Sequence, residues 1–211
     1  MTALLCACAP EKECVRTGDL VFVGIPMDYS LDADSMDAAI ADATGDGVLN
    51  LIHVAIAERD SEGKLWIIDA TIAHGVDRHP LDTFLTDFTL KDGSYPVFKV
   101  MRLQDNALAP SWIENAKALC GQPYDTAFLP DNGALYCSEL VRESYLGEEG
   151  EYLFEESPMN FLGPDGEMPV YWTQLFALLG MEVPQDVPGT NPHDMAASAL
   201  LEEVAVDITQ P

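Results

Sequence analysis

Basic residues are scarce in this chain: ten lysines and arginines stand against 36 aspartates and glutamates, for a net charge of −26 over 211 residues. A surface of that sign repels phosphate backbones and anionic lipid, which excludes nucleic acid as a partner class. The acidity is compatible with a salty habitat or with cationic ligands. Long apolar runs are missing too, and nothing approaches the ~20 residues needed to cross a bilayer. The five cysteines contain no Cys-x-x-Cys pair, and no paired metal-ligand spacing appears, so neither a metal nor a cofactor is expected. His74 and His79 flank Asp77, a grouping that a surface loop explains better than zinc. Internal repeats and low-complexity tracts are absent.

What remains is a chain 48% hydrophobic, long enough for one globular domain with an extension. The first ten residues lack a basic n-region and are too short for a full signal peptide. Leu5-Cys6-Ala7-Cys8 nonetheless resembles the end of a bacterial lipoprotein signal, which points to the cell envelope, with a cytoplasmic location as the alternative. Residues 1–16 read as a flexible tail, 17–146 as a catalytic domain, and 147–211 as a C-terminal extension packed on it. The patterning predicts strands over 19–23 and 97–103 and helices over 35–43, 80–88, 111–120, 170–179 and 192–204. Ser111-x-x-Glu114 reads as a capping box for the helix over 111–120. Cys120 extends the apolar stripe of that helix and is expected in the core.

The most informative residue is Cys137. The turn-forming segment Pro130-Asp131-Asn132-Gly133 runs into a helical pattern whose apolar face carries Leu140, Val141, Ser144 and Tyr145. A thiol at that junction lies at the positive end of the helix dipole, which favours the nucleophilic thiolate. A buried structural cysteine would fit the same pattern, and the segment alone leaves both readings open.

His53 gives the chemistry a base. Leu51-Ile52-His53-Val54-Ala55-Ile56-Ala57 reads as a strand, and Leu65-Trp66-Ile67-Ile68-Asp69-Ala70-Thr71 as the next, joined by the polar, Gly-containing Arg59–Gly63. A turn centred on Ser61 pairs Glu58 with Lys64, Ile56 with Trp66, Val54 with Ile68 and His53 with Asp69. That register sets imidazole and carboxylate opposite each other, with Cβ atoms roughly 4.5–5.5 Å apart. A carboxylate holding a histidine that faces a thiol is an arrangement for covalent acyl transfer.

These stretches resemble the NlpC/P60 superfamily of papain-like cysteine hydrolases, in its circularly permuted YiiX/YebB-like branch. The matching residues are Gly18-Asp19-Leu20-Val21-Phe22, His53-Val54-Ala55-Ile56, Ile68-Asp69-Ala70, Gly121-Gln122-Pro123-Tyr124-Asp125 and Tyr136-Cys137-Ser138-Glu139-Leu140-Val141. The order carries the permutation: histidine and acid precede the cysteine. The resemblance implies an α+β fold, an antiparallel sheet packed against helices with the catalytic cysteine at a helix N-terminus. It makes Cys137 the nucleophile, His53 the general base and Asp69 the orienting residue, with Tyr124 and Ser138 at the oxyanion and substrate side. The lecithin:retinol acyltransferase-like group carries Asn-Cys-Glu-His at its cysteine, unlike the Tyr-Cys-Ser-Glu found here.

The first functional expectation is a hydrolase cutting an amide in a small peptide of the cell-wall type. The second is an acyltransferase or lipase, whose acyl channel would be built from groups such as Met27, Met36 and Phe84. The third is a non-catalytic binding module. Oligomeric state is left open.

Overall fold

The computed structural model describes residues 13–26, 29–32, 35–44 and 49–210; the Leu5–Cys8 segment and Met27 lie outside them. The elements run β1 (Leu20–Pro26), α1 (Met36–Thr44), β2 (Leu49–Arg59), β3 (Leu65–Thr71), β4 (Gly75–Pro80), α2 (Leu81–Asp87), β5 (Val97–Leu103), α3 (Ala109–Leu119) and α4 (Cys137–Ser144). After these come β6 (Ser157–Pro158), α5 (Val170–Leu179), β7 (Pro188–Gly189), α6 (Pro192–Ala196) and β8 (Leu201–Val204). Six strands form one antiparallel sheet in the order β4-β3-β2-β1-β5-β8, and β6 pairs with β7.

The near-continuous apolar runs of β1 and β2 mean that both sheet faces are covered. On one face Leu20, Phe22, Val54, Ile56 and Ile68 pack with Trp112, Ile113, Leu140, Val141 and Tyr145 from α3 and α4. On the other, Val21, Val23, Ala55, Ala57 and Ile67 pack with Phe84 and Leu85 of α2 and Ala41 of α1. A third cluster joins Ala39, Phe128, Tyr136, Phe161, Trp172 and Phe176 beside the start of α4.

The β2–β3 register differs from the expected one by two residues: Ile56 pairs with Ile68, Glu58 with Trp66 and Arg59 with Leu65. Asp60 sets the turn. Its Oδ1 accepts from the N–H of Glu62 and Lys64, its Oδ2 accepts from Trp66 Nε1, and Gly63 adopts φ 80°. A slip of two leaves every side chain on its own face, so His53 and Asp69 still share one. Their contact is diagonal rather than directly across. Glu58, freed from Lys64, takes Arg78 at 2.6 Å and Lys117 at 2.8 Å.

Four local readings are corrected. Residues 75–80 form an edge strand rather than a loop, with Val76 exchanging hydrogen bonds with Gly121 and Gln122. α3 begins at Ala109 with Pro110 in its first turn and no side-chain cap, so Ser111 and Glu114 form no capping box. Cys120 is exposed, because the helix ends at Leu119 and Cys120 turns away at ψ 137°. The helix expected over 192–204 stops at Ala196, and Leu201 and Val204 return as an edge strand against β5.

Candidate active site

Cys137 is the first residue of α4 and 5% exposed. The N–H groups of the first helical turn have no partner four residues back, and Leu140 N–H is the first to bond, to the Tyr136 carbonyl at 2.9 Å. Among the described residues nothing accepts from the N–H of Cys137 or Ser138. Glu139 at the third position accepts from Tyr136 N–H at 3.4 Å. Burial, reinforced by nearby Asp125, pushes its carboxyl up to about 8. A neutral acid there leaves the helix dipole to the sulfur at neutral pH.

β2 delivers the histidine. The β1–β2 register shifts between Val23 and Gly24, where Val23 pairs with His53 and Gly24 with Leu51. Ile52 is the extra residue of this bulge, a device that re-aims the adjoining side chain. His53 Nε2 lies 2.8 Å from Asp69 Oδ2, and both side chains are buried. With Nε2 so held, Nδ1 is the nitrogen left over, and Cys137 is near enough for its charge to act on the ring. Phe88 packs on the imidazole at 4.7 Å between ring centres, and Phe84 closes the floor.

Burial alone would lower the pKa of His53. The charge of Cys137, then the hydrogen bonds to Asp69 and Cys137, overcome it and raise the imidazole from 6.5 to about 10. His53 therefore holds its proton through neutral pH. Since the folded value is the higher one, this contribution to stability is complete below about 6.5 and is lost as pH rises through about 10. Turnover that needs His53 to protonate a leaving amine should fall over the same alkaline range. Asp69→Asn should move that limb to lower pH. A limb unmoved in Asp69→Asn would show that the carboxylate does not hold the proton on His53.

Tyr124 lines the small pocket that adjoins Cys137, with its hydroxyl 3.9 Å from Met36 Sδ. Burial, with the Cys137 charge behind it, raises the phenol well above its usual range, so it stays a donor. The Ser138 hydroxyl accepts from Thr190 Oγ1 at 3.0 Å, and Thr190 N–H donates to Tyr136 Oη at 3.0 Å. Ser138 thus offers the site its backbone N–H while its side chain ties the C-terminal segment to α4. Met159, Phe161 and Trp172 bring that segment to the same pocket, whose cavity is about 40 Å³. A second cavity of about 250 Å³ is lined in part by Ser35, Asp37, Asp87 and Phe88, and Ile52 lines both.

Among the described residues, Asp69, Asp77 and His79 bring metal-type ligand atoms within 4.8 Å of one another. One atom of each is engaged, Asp69 Oδ2 by His53, and His79 Nδ1 with Asp77 Oδ1 at 2.7 Å. Asp69 Oδ1 and His79 Nε2, both buried, keep no hydrogen-bond partner.

A buried thiol at a helix start, an imidazole and a carboxylate in line, and histidine preceding cysteine in the chain together describe a permuted papain-like hydrolase. The comparison with protein families agrees: the model of the permuted papain-like amidases, YaeF/YiiX, C92 family, matches residues 14–205, and the chain belongs to that family. It is a cysteine hydrolase of the amidase or peptidase type. Among solved structures it is similar to the metalloprotein YiiX from Escherichia coli O157:H7, at 22% identity over 91% of this chain and 97% of that one, with a TM-score of 0.68. That likeness is one of fold. No curated protein matches the sequence.

Sequence reasoning missed Phe88, Thr190 and His79. Phe88 and Thr190 act through contacts distant in sequence and left no local signal. His79 was visible as a histidine two residues from an aspartate, but its strand has no apolar alternation to reveal its burial.

Proposed function

We propose that Cys137, His53 and Asp69 form a catalytic triad that hydrolyses an amide bond in a small peptide through a thioacyl intermediate. The observation that carries this reading is a buried His53 held by Asp69 and neighbouring Cys137 at a helix N-terminus. The Cys137 sulfur attacks the amide carbon, and the carbon–oxygen double bond opens to an oxyanion. The N–H groups of Cys137 and Ser138, with the Tyr124 hydroxyl, are placed to receive it. Collapse breaks the carbon–nitrogen bond, and the amine leaves with the proton from His53. A water then adds to the thioester carbonyl, gives its proton to His53, and releases the acid and the thiol.

Two features favour a peptide over a long acyl chain. The cavity beside Cys137 holds only a small apolar group, and the larger one carries Asp37 and Asp87, suited to an amine-bearing peptide. Met36 and Phe84, expected to share an acyl channel, belong to separate cores. Cell-wall peptides are the substrate class to test first, and the Leu5–Cys8 segment supports an envelope location. Incubating the protein with muropeptides and with acyl esters, followed by intact mass spectrometry, should trap an adduct on Cys137 with the peptides. Adducts from acyl esters alone would move the assignment to acyl transfer.

Thiol reactivity offers a substrate-free check. At roughly pH 6–7 Cys137 should be alkylated by iodoacetamide far faster than Cys120, because the thiolate is the reacting form. Accessibility argues the opposite way, since Cys120 is exposed and Cys137 buried. Partial desolvation of its sulfur, with the Asp77 charge, nonetheless raises the Cys120 pKa. His53→Ala should slow the Cys137 reaction, and equal rates at the two cysteines would remove the case for an activated nucleophile.

A further inference from the structure

Asp69 has a second oxygen that the triad does not use. Oδ1 is buried and has no hydrogen-bond partner, and the same is true of His79 Nε2. The two atoms face each other at 3.8 Å. On the far side of the ring, Nδ1 lies 2.7 Å from Asp77 Oδ1. The sheet holds this arrangement, because Asp69 pairs with Asp77 and Ile67 with His79 across β3 and β4. His79 therefore sits diagonal to Asp69 on the same face, with its ring stacked on Phe84 at 6.5 Å and 18°. Arg78, between Asp77 and His79 in the chain, turns to the other face and pairs with Glu58.

Both ring nitrogens of His79 thus face carboxylate oxygens. A neutral imidazole has one bare nitrogen, and either tautomer would set two acceptors against each other. The contacts are both attractive when each nitrogen carries a hydrogen, and a movement of under 1 Å then closes the Nε2–Oδ1 gap to hydrogen-bonding distance.

We propose that His79, anchored by Asp77, is a positioning residue that grips the second oxygen of Asp69, extending the catalytic line to Cys137–His53–Asp69–His79–Asp77. This rests on the triad reading above. A carboxylate held at one oxygen can swing about its side-chain torsions, whereas one held at both keeps Oδ2 aimed at His53. The titratable groups facing His53 are Cys137 from α4, Asp69 from β3 and, at longer range, Asp37 from α1. From α2 and its C-cap, Phe84 and Phe88 pack on the ring.

Two substitutions separate donor from ring. His79→Gln keeps an N–H donor and loses the stacked ring, while His79→Phe keeps the ring and loses the donor. The measurement is the rate of Cys137 alkylation by iodoacetamide against pH, followed by peptide mass spectrometry with Cys120 as internal reference. His79→Phe should slow alkylation near neutral pH by on the order of tenfold, the scale of one hydrogen bond to a charged group. The pH of half-maximal rate should rise. His79→Gln should stay close to the native profile. Asp77→Ala, at a half-exposed side chain where folding is not at stake, should shift the profile the same way as His79→Phe and by less. Native behaviour of both His79→Phe and Asp77→Ala overturns the proposal, as does a defect in His79→Gln that equals that of His79→Phe. A stoichiometric divalent ion in the purified protein that is lost in His79→Gln overturns it too, in favour of a bridging cation. His53→Ala and Asp69→Ala run in parallel: if these leave Cys137 alkylation unchanged, the triad itself has failed, whereas slow parents with an unaffected His79→Phe reject only the extension.

Discussion

Cys137→Ala and His53→Ala should each reduce turnover by roughly 10³-fold or more, and the double variant should be little worse than either single one. The non-additivity follows from the geometry. His53 owes its raised pKa first to Cys137 among the groups that raise it, and Cys137 depends on His53 for proton transfer. Removing one partner disarms the other. Asp69→Asn should cost less, because the amide keeps an oxygen within reach of Nε2 while losing the charge. Tyr124→Phe should cost less again, because the N–H groups of Cys137 and Ser138 share the oxyanion. All four proteins should keep their cooperative unfolding, which circular dichroism can verify. Activity surviving in Cys137→Ala on the best substrate found would end the hydrolase mechanism proposed here.

Much of this site was legible because strand parity is robust. His53 and Asp69 are both odd-numbered residues on neighbouring antiparallel strands. The register slip left them on one face, and their 2.8 Å contact forms on the diagonal. The slip itself was not legible, since it depends on Asp60 collecting three hydrogen bonds within its loop. Turn chemistry of that kind outweighs the Glu58–Lys64 pairing that suggested the other register. The start of α4 could be read from a turn running into an amphipathic pattern. The β-bulge at Ile52 that aims His53 could not, for it is a property of two strands together. β8 was hidden for a different reason: Asn191 and Pro192 announce a helix correctly, but nothing local says that it ends at Ala196 and that Leu201 then seeks the sheet edge.

The Gly18-Asp19 start of the first motif has a structural account, and it yields the largest expected stability effect. Gly18 adopts φ 85°, and a Cβ there would meet Ala109 Cβ at 2.7 Å. Its carbonyl accepts from the buried Tyr145 hydroxyl at 3.1 Å. Asp19 is fully buried and receives Arg102 as a two-pronged pair, Nε to Oδ1 at 2.7 Å and one terminal nitrogen to Oδ2 at 2.8 Å. The pair joins the start of β1 to the end of β5. Asp19→Ala leaves a guanidinium that is only 6% exposed with the Cys14 carbonyl as its remaining partner. An orphaned buried charge costs about 3–5 kcal/mol, a large share of the ~5–15 kcal/mol that holds a domain folded. At about 2–4 °C per kcal/mol for a chain of this size, the melting temperature should fall on the order of 10 °C. Replacing both partners, as Asp19→Leu with Arg102→Met, should recover much of the loss, because no charge is then left buried. Cys137 alkylation measured well below the melting temperature should be unchanged in Asp19→Ala, since the pair lies away from the thiol and acts on folding alone. A denaturant midpoint within error of the parent would show that water or a rearranged Arg102 takes up the charge, and would leave the motif without this explanation.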